Sequence, residues 1–162
     1  MPIILVVAAC GGSTAPSPAT LDGTWNGQVR YSSAQPSGHC YSRFLAGLGT
    51  GHLYGIDVEI RQEGSRLSGT LRGTQIVTSC RFEGALSGEQ VTWRQTSCDQ
   101  PCTTLQEGTC SAFRLCVLDH TFAGRMTSGG LSGSHTVTWE TSETTGGALG
   151  HLEIQATLAA AR

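Results

Sequence analysis

Tyr54-Gly55-Ile56-Asp57-Val58-Glu59-Ile60-Arg61 is followed two residues later by Gly64-Ser65 and then by Arg66-Leu67-Ser68-Gly69-Thr70-Leu71-Arg72. Tyr54, Ile56, Val58 and Ile60 fall on one side of an extended chain, and Asp57, Glu59 and Arg61 on the other. Side chains alternate across a strand with a period of two, so this stretch predicts a strand with one buried face. Glu63-Gly64-Ser65 supplies a turn, after which Leu67, Gly69 and Leu71 oppose Arg66, Ser68, Thr70 and Arg72. The whole reads as a hairpin, apolar inside and charged outside.

The same alternation extends in both directions. Upstream, Trp25, Gly27, Val29 and Tyr31 oppose Asn26, Gln28 and Arg30. Downstream, Phe82, Gly84 and Leu86 share a side with Cys80, and a turn at Gly88-Glu89 leads to Val91 and Trp93. A short strand is expected over Ala112 to Leu118, another through Phe122, Gly124 and Met126. Ser128-Gly129-Gly130 then turns the chain into Leu131, Gly133, His135, Val137 and Trp139. A last strand aligns Leu152, Ile154, Ala156 and Leu158. Strands that are each apolar on one face must cover those faces with each other, and closing the sheet removes its edges. The expected fold is all-β, an antiparallel up-and-down barrel of about eight strands, with a β-sandwich as the alternative. Leu67-Ser68-Gly69, Leu86-Ser87-Gly88 and Leu131-Ser132-Gly133 echo one another. Small residues recurring at the bends of a curved meander account for the echo.

Two connections are long. Ser32 to Leu53 carries Cys40 and an apolar group, Phe44, Leu45 and Leu48. Cys98 to Cys116 holds four cysteines. Of the seven cysteines in the chain, Cys10 stands apart in the N-terminal segment, which leaves Cys40, Cys80, Cys98, Cys102, Cys110 and Cys116. An even remainder predicts three disulfides that staple these loops, with connectivity open. Zinc is the alternative, but no Cys-x-x-Cys pair occurs and no metal site is expected.

The composition excludes several function classes. All 10 basic residues are Arg against 12 acidic ones, a balance that argues against a nucleic-acid surface. Without lysine there is no Schiff-base chemistry and no lysine-bearing phosphate loop. No Gly-x-Ser-x-Gly elbow is present, so the chain is expected not to be an enzyme and to need no cofactor.

Residues 1–10 end in Ile3-Ile4-Leu5-Val6-Val7-Ala8-Ala9-Cys10, and 11–20 begin Gly11-Gly12-Ser13-Thr14. This apolar run, small residues, cysteine and polar tether resemble the lipobox of bacterial lipoproteins. The resemblance implies that Cys10 is acylated and anchors the protein to a membrane, on the periplasmic or surface side of a bacterial envelope. The apolar run is shorter than the roughly 20 residues of a spanning helix and lacks a basic n-region, so a fuller leader is expected upstream. The alternative is a loose N-terminus with an unmodified Cys10. The tether, 11–20, has nothing larger than alanine to bury and is expected to be flexible, leaving 21–162 as one barrel domain.

Gly23-Thr24-Trp25 on the first strand resembles the Gly-x-Trp signature of the calycin superfamily, which includes lipocalins and avidins. Val91-Thr92-Trp93 and Val137-Thr138-Trp139 resemble the later tryptophan-bearing strands of avidins. The likeness implies an eight-stranded barrel with one open end, lidded by the loop Ser32 to Leu53. The position two residues after Trp25 is Gly27 where avidins have asparagine, so biotin binding is not implied. Two functions are open. In the first, the barrel binds a small apolar or amphipathic ligand, lined by Trp25, Tyr54, Trp93, His135 and Trp139, with Phe44 and Leu48 in the lid. In the second, the barrel is filled, and the protein is a structural or interaction partner of an envelope protein through its cysteine-rich loop. His135 shares the parity of Val137 and Trp139 and is therefore inward, as a ligand contact or as a core histidine satisfied by backbone.

Overall fold

The computed structural model describes residues 20–38, 51, 53–74, 77–107, 110–143 and 148–162. Cys10, Cys40, Phe44 and Leu48 lie outside these residues, as do the side chains of Cys110 and Leu152. The strands are β1 (Gly23–Gly38), β2 (Leu53–Glu63), β3 (Arg66–Thr74), β4 (Val77–Ser87), β5 (Gln90–Cys98), β6 (Cys102–Glu107), β7 (Cys110–Thr127), β8 (Gly130–Glu143) and β9 (Ala148–Ala161). All pairings are antiparallel, in the order β5-β4-β3-β2-β1-β9-β8-β7-β6. Gln90–Arg94 of β5 also pairs with Thr121–Arg125 of β7, which closes eight strands into a barrel. The ninth, β6, runs along the other half of β7, where Cys102 to Glu107 faces Cys110 to Cys116. The expected barrel is the observed one.

Local chemistry explains the path. Gly64 and Gly88 hold φ of 63° and 60° at the β2–β3 and β4–β5 turns, a left-handed conformation open to glycine at little cost. Between turns, the large inward side chains form the core: Val58, Leu67, Val91 and Leu158 are fully enclosed. Each such side chain contributes roughly 1.5–3 kcal/mol of hydrophobic stabilisation. The large side chains assigned inward by alternation are buried where they are described, except Leu86 next to the β4–β5 turn, which is half-buried.

The Leu-Ser-Gly echo separates into two roles. Gly88 is a turn residue, whereas Gly69 and Gly133 lie within strands against aromatic rings. A Cβ on Gly133 or on its cross-strand partner Gly124 would overlap the Phe122 ring and the opposing backbone. These glycines let the Phe122 ring lie flat against the wall.

Strand ends differ from the sequence expectation in two places. The chain after Ser32 does not leave the sheet at once: β1 shifts register between Tyr31 and Ser33 and continues against β9 as far as Gly38. Nor is Cys98 to Cys116 a single connection, since β6 and the start of β7 form a hairpin within it. The strands expected around Ala112–Leu118 and Phe122–Met126 are one strand, β7, with a bulge between Val117 and Asp119. A bulge adds one residue to one side of the ladder and resets the alternation. Val117 and His120 are therefore both buried although three apart, and Leu118 between them is exposed.

Among the described residues two disulfides are formed. Cys80–Cys98 ties β4 to β5, and Cys102–Cys116 ties β6 to β7, each between directly paired residues. Together they hold both ends of the connection 99–101. That connection is held further by hydrogen bonds from Asp99 N to the Ser79 carbonyl and from Val117 N to the Pro101 carbonyl.

Candidate ligand site in the barrel interior

One end of the barrel, where the β2–β3, β4–β5 and β7–β8 turns gather, is firmly closed. Trp25 Nε1 donates to the Leu21 carbonyl at 2.8 Å, and Leu21 is fully buried. Leu21 N in turn donates to Gln62 Oε1 at 2.8 Å, and Gln62 N donates to Asp22 Oδ1. The Arg162 guanidinium sits 4.7 Å from the Trp25 ring centroid and donates to the carbonyls of Thr20 and Asp22. A cation over an indole face is attracted by the ring quadrupole. The two ends of the domain thus meet over Trp25, and every polar group named here has a partner.

Further along the barrel three rings stack across β4, β5 and β7. Phe82 and Trp93 have centroids 4.8 Å apart, and Trp93 and Phe122 4.0 Å apart at 18°. They follow from register: Phe122 is the cross-strand partner of Trp93, and inward neighbours on adjacent strands meet face to face. Tyr31 and Tyr54 form another inward pair, with centroids 4.8 Å apart. Burial first, and the neighbouring Tyr54 second, raise the Tyr31 hydroxyl to about 12, so it stays protonated.

Beyond the stack lie the two buried histidines. Phe122 pairs with His135 across the β7–β8 ladder, and His120 pairs with Val137 two residues further. His135 Nε2 lies 3.2 Å from His120 Nδ1, with the rings nearly perpendicular at 72°. Each residue is 1% exposed. Burial lowers His135 to about 4; burial and then the neighbouring His135 lower His120 to about 3. Both rings are therefore neutral at physiological pH, and a single proton bridges them.

Other ring nitrogens of the interior have no partner among the described residues. His120 Nε2, His135 Nδ1, Trp93 Nε1 and Trp139 Nε1 are all buried without a hydrogen bond. Thr70 Oγ1 and Gln95 Oε1 share that state but belong to half-buried residues. Most buried polar groups in native structures are paired, so four orphan ring nitrogens on inward positions set this interior apart from an ordinary core. Among the described residues no group of three His, Cys, Asp or Glu could hold a metal ion.

The structure thus brings Trp93, His135 and Trp139 into the interior as unsatisfied polar groups, and Tyr54 beside Tyr31. Trp25 is inward as expected but occupies the closed end with its indole satisfied. Phe44 and Leu48 lie outside the described residues. His120 was missed by sequence reasoning, although it shares the parity of Phe122, Gly124 and Met126. Extending that strand by two residues would have found it; the bulge hid it from the side of Val117.

A closed, eight-stranded antiparallel barrel with a tryptophan opening its first strand is consistent with a calycin-like fold. Neither a protein-family model nor a curated protein matches the chain.

Proposed function

We propose that the protein is an exported lipoprotein of a bacterial envelope, held to a membrane by acylated Cys10, whose calycin-like barrel binds a small amphipathic ligand without catalysing a reaction. The observation that carries the binding role is the set of four buried ring nitrogens lacking any protein partner. An interior built only for packing has no use for four unpaired donors and acceptors, each costing about 1–3 kcal/mol. A ligand with polar atoms offsets that cost. Apolar walls with a few placed polar groups are the usual composition of small-molecule sites.

Export is supported by the two disulfides, which persist in oxidising compartments. Anchoring is supported by the lipobox-like Ala8-Ala9-Cys10 followed by a polar tether. Two or three acyl chains on one residue, at roughly 0.8 kcal/mol per buried CH₂, give stable attachment. A second reading, protein recognition, is favoured by one feature: a connection at 99–101 stapled on both sides suits a rigid contact surface.

Native mass spectrometry of the protein released gently from the cells that make it separates these. A co-purifying small molecule, beyond an acyl mass on Cys10, supports the binding barrel. A bare chain that instead captures an envelope protein, and loses it when the 99–101 connection is altered, overturns it. An unmodified Cys10 removes the anchor.

A further inference from the structure

We infer that the barrel interior accepts an uncharged ligand that offers several hydrogen-bond acceptors and a single donor to the His120–His135 pair and to the Trp93 and Trp139 indoles. The inference rests on the binding role proposed above and specifies the chemistry of what is bound.

Proton counting gives the complement. A neutral imidazole has one N–H donor and one lone-pair acceptor, so the pair has two of each. The contact between His135 Nε2 and His120 Nδ1 uses one donor and one acceptor. Whichever ring donates, one donor and one acceptor remain, on His120 Nε2 and His135 Nδ1. Both atoms are buried and unpartnered. The Trp93 and Trp139 indoles can only donate, and both lack partners. The interior thus presents three donors and one acceptor. A hydroxyketone matches this count in full, because its carbonyl oxygen takes two hydrogen bonds and its hydroxyl takes the third while donating to the imidazole acceptor; an amide or lactam serves the acceptor and two of the three donors.

Charge is excluded on independent grounds. Among the described residues the two histidines are the only buried titratable or charged groups besides tyrosine, and burial keeps both neutral. The arginines and carboxylates lie on the opposite parity: Arg94 and Asp119, for instance, pair with each other at 3.0 Å on the outside. A charged ligand would enter an interior with no counter-charge, at the cost of its hydration. A hydrocarbon would leave all four nitrogens unpaired.

The test uses the ¹⁵N-labelled full chain with its disulfides formed, and reads the three indole N–H resonances during titration with three probes of similar size. N-methylbenzamide is neutral with one donor and a carbonyl; benzoate is charged; ethylbenzene is apolar. N-methylbenzamide is expected to move the Trp93 and Trp139 signals and to bind about tenfold more tightly than either other probe, the gain of roughly one well-made hydrogen bond. The Trp25 signal, already bonded to the Leu21 carbonyl, stays in place and reports an intact fold. Trp139→Phe and Trp93→Phe each remove one donor while keeping an aromatic ring, and the ethylbenzene affinity controls for the volume lost. Each should weaken N-methylbenzamide several-fold and leave ethylbenzene unchanged. Equal or tighter binding of benzoate or ethylbenzene overturns the ligand class while leaving the binding barrel standing. Failure of all three probes to move either indole, with water contacts at those N–H groups, assigns the orphan nitrogens to ordered water and overturns both.

Discussion

Trp25 and Trp139 are the same residue on the same inward parity, yet their surroundings are opposite. At the Trp25 end, the indole N–H has a carbonyl, the ring face has a guanidinium, and the flanking segment is bonded to β2. Further along β8, the Trp139 indole is 2% exposed and has no partner among the described residues, and neither do two of the four nitrogens of the His120–His135 pair. The comparison teaches that burial and satisfaction are separate properties. A closed end that must hold the fold together satisfies each of its polar atoms internally. A layer that leaves them open is the one on which the proposed binding role rests.

The largest effect expected from breaking this contrast is at the closed end. Trp25→Ala removes a buried indole, its bond to Leu21 and its contact with Arg162, and should lower stability by about 3–5 kcal/mol in urea unfolding. Trp25→Phe keeps most of the volume but strands the Leu21 carbonyl, and should cost about 1–2 kcal/mol. A near-neutral Trp25→Ala would mean that this end is not what holds the barrel shut.

Acid should act on the other region. The unfolded chain has both histidines near 6.5, whereas the folded barrel holds them at about 4 and about 3. Below 6.5 the unfolded state takes up protons that the folded state refuses, so this contribution is full at neutral pH and is lost as pH falls from 6.5 towards 4. The slope is up to about 1.4 kcal/mol per pH unit for each imidazole. No described carboxylate faces the pair to oppose this: Asp119 is bound to Arg94, and Glu140 and Glu153 lie on the outward parity. The other inward titratable groups are Tyr31 and Tyr54, and Tyr31 titrates only at about 12. Urea midpoints measured from pH 7 to 5 should fall steeply, and His120→Phe with His135→Phe should flatten the profile. An unchanged profile in the double variant would place the acid sensitivity elsewhere.

The disulfides sharpen the comparison along the barrel wall. Replacing Cys102 and Cys116 by alanine opens a loop of sequence separation 14 and should cost about 2–3 kcal/mol. Because β6 covers only the Cys110–Cys116 half of β7, hydrogen exchange should rise there and stay unchanged at Thr121–Arg125, which is paired with β5. Uniform loosening of β7 would show that the closed barrel depends on β6.

Legibility in the sequence follows the same division. The barrel was readable because a period-two pattern reports inwardness directly, as Tyr54-Gly55-Ile56-Asp57-Val58 does, and the turns at Gly64 and Gly88 reported where it reverses. Trp93, His135 and Trp139 were placed correctly inside by that parity alone. What parity could not carry was register and partners. The bulge after Val117 shifted the alternation within one strand, so β7 was read as two pieces with His120 between them. That His120 meets His135 depends on the pairing of β7 with β8. That Trp25 is satisfied depends on Leu21 and Arg162, 4 residues before it in one case and at the far end of the chain in the other.

The smallest stability effect is the one that discriminates best between the two regions. Trp139→Phe deletes a donor that has no partner, so the folded state loses a desolvated N–H and keeps most of the ring's contacts. The relieved N–H offsets part of the cost of the lost ring volume, so the change should cost no more than about 1 kcal/mol, against the larger loss at Trp25, where the Leu21 carbonyl is stranded as well. Paired urea denaturation of the two variants measures the difference directly, since ring volume and burial change alike in both. If Trp139→Phe costs as much as Trp25→Phe, the Trp139 indole has an internal partner after all, and the histidine layer is ordinary core.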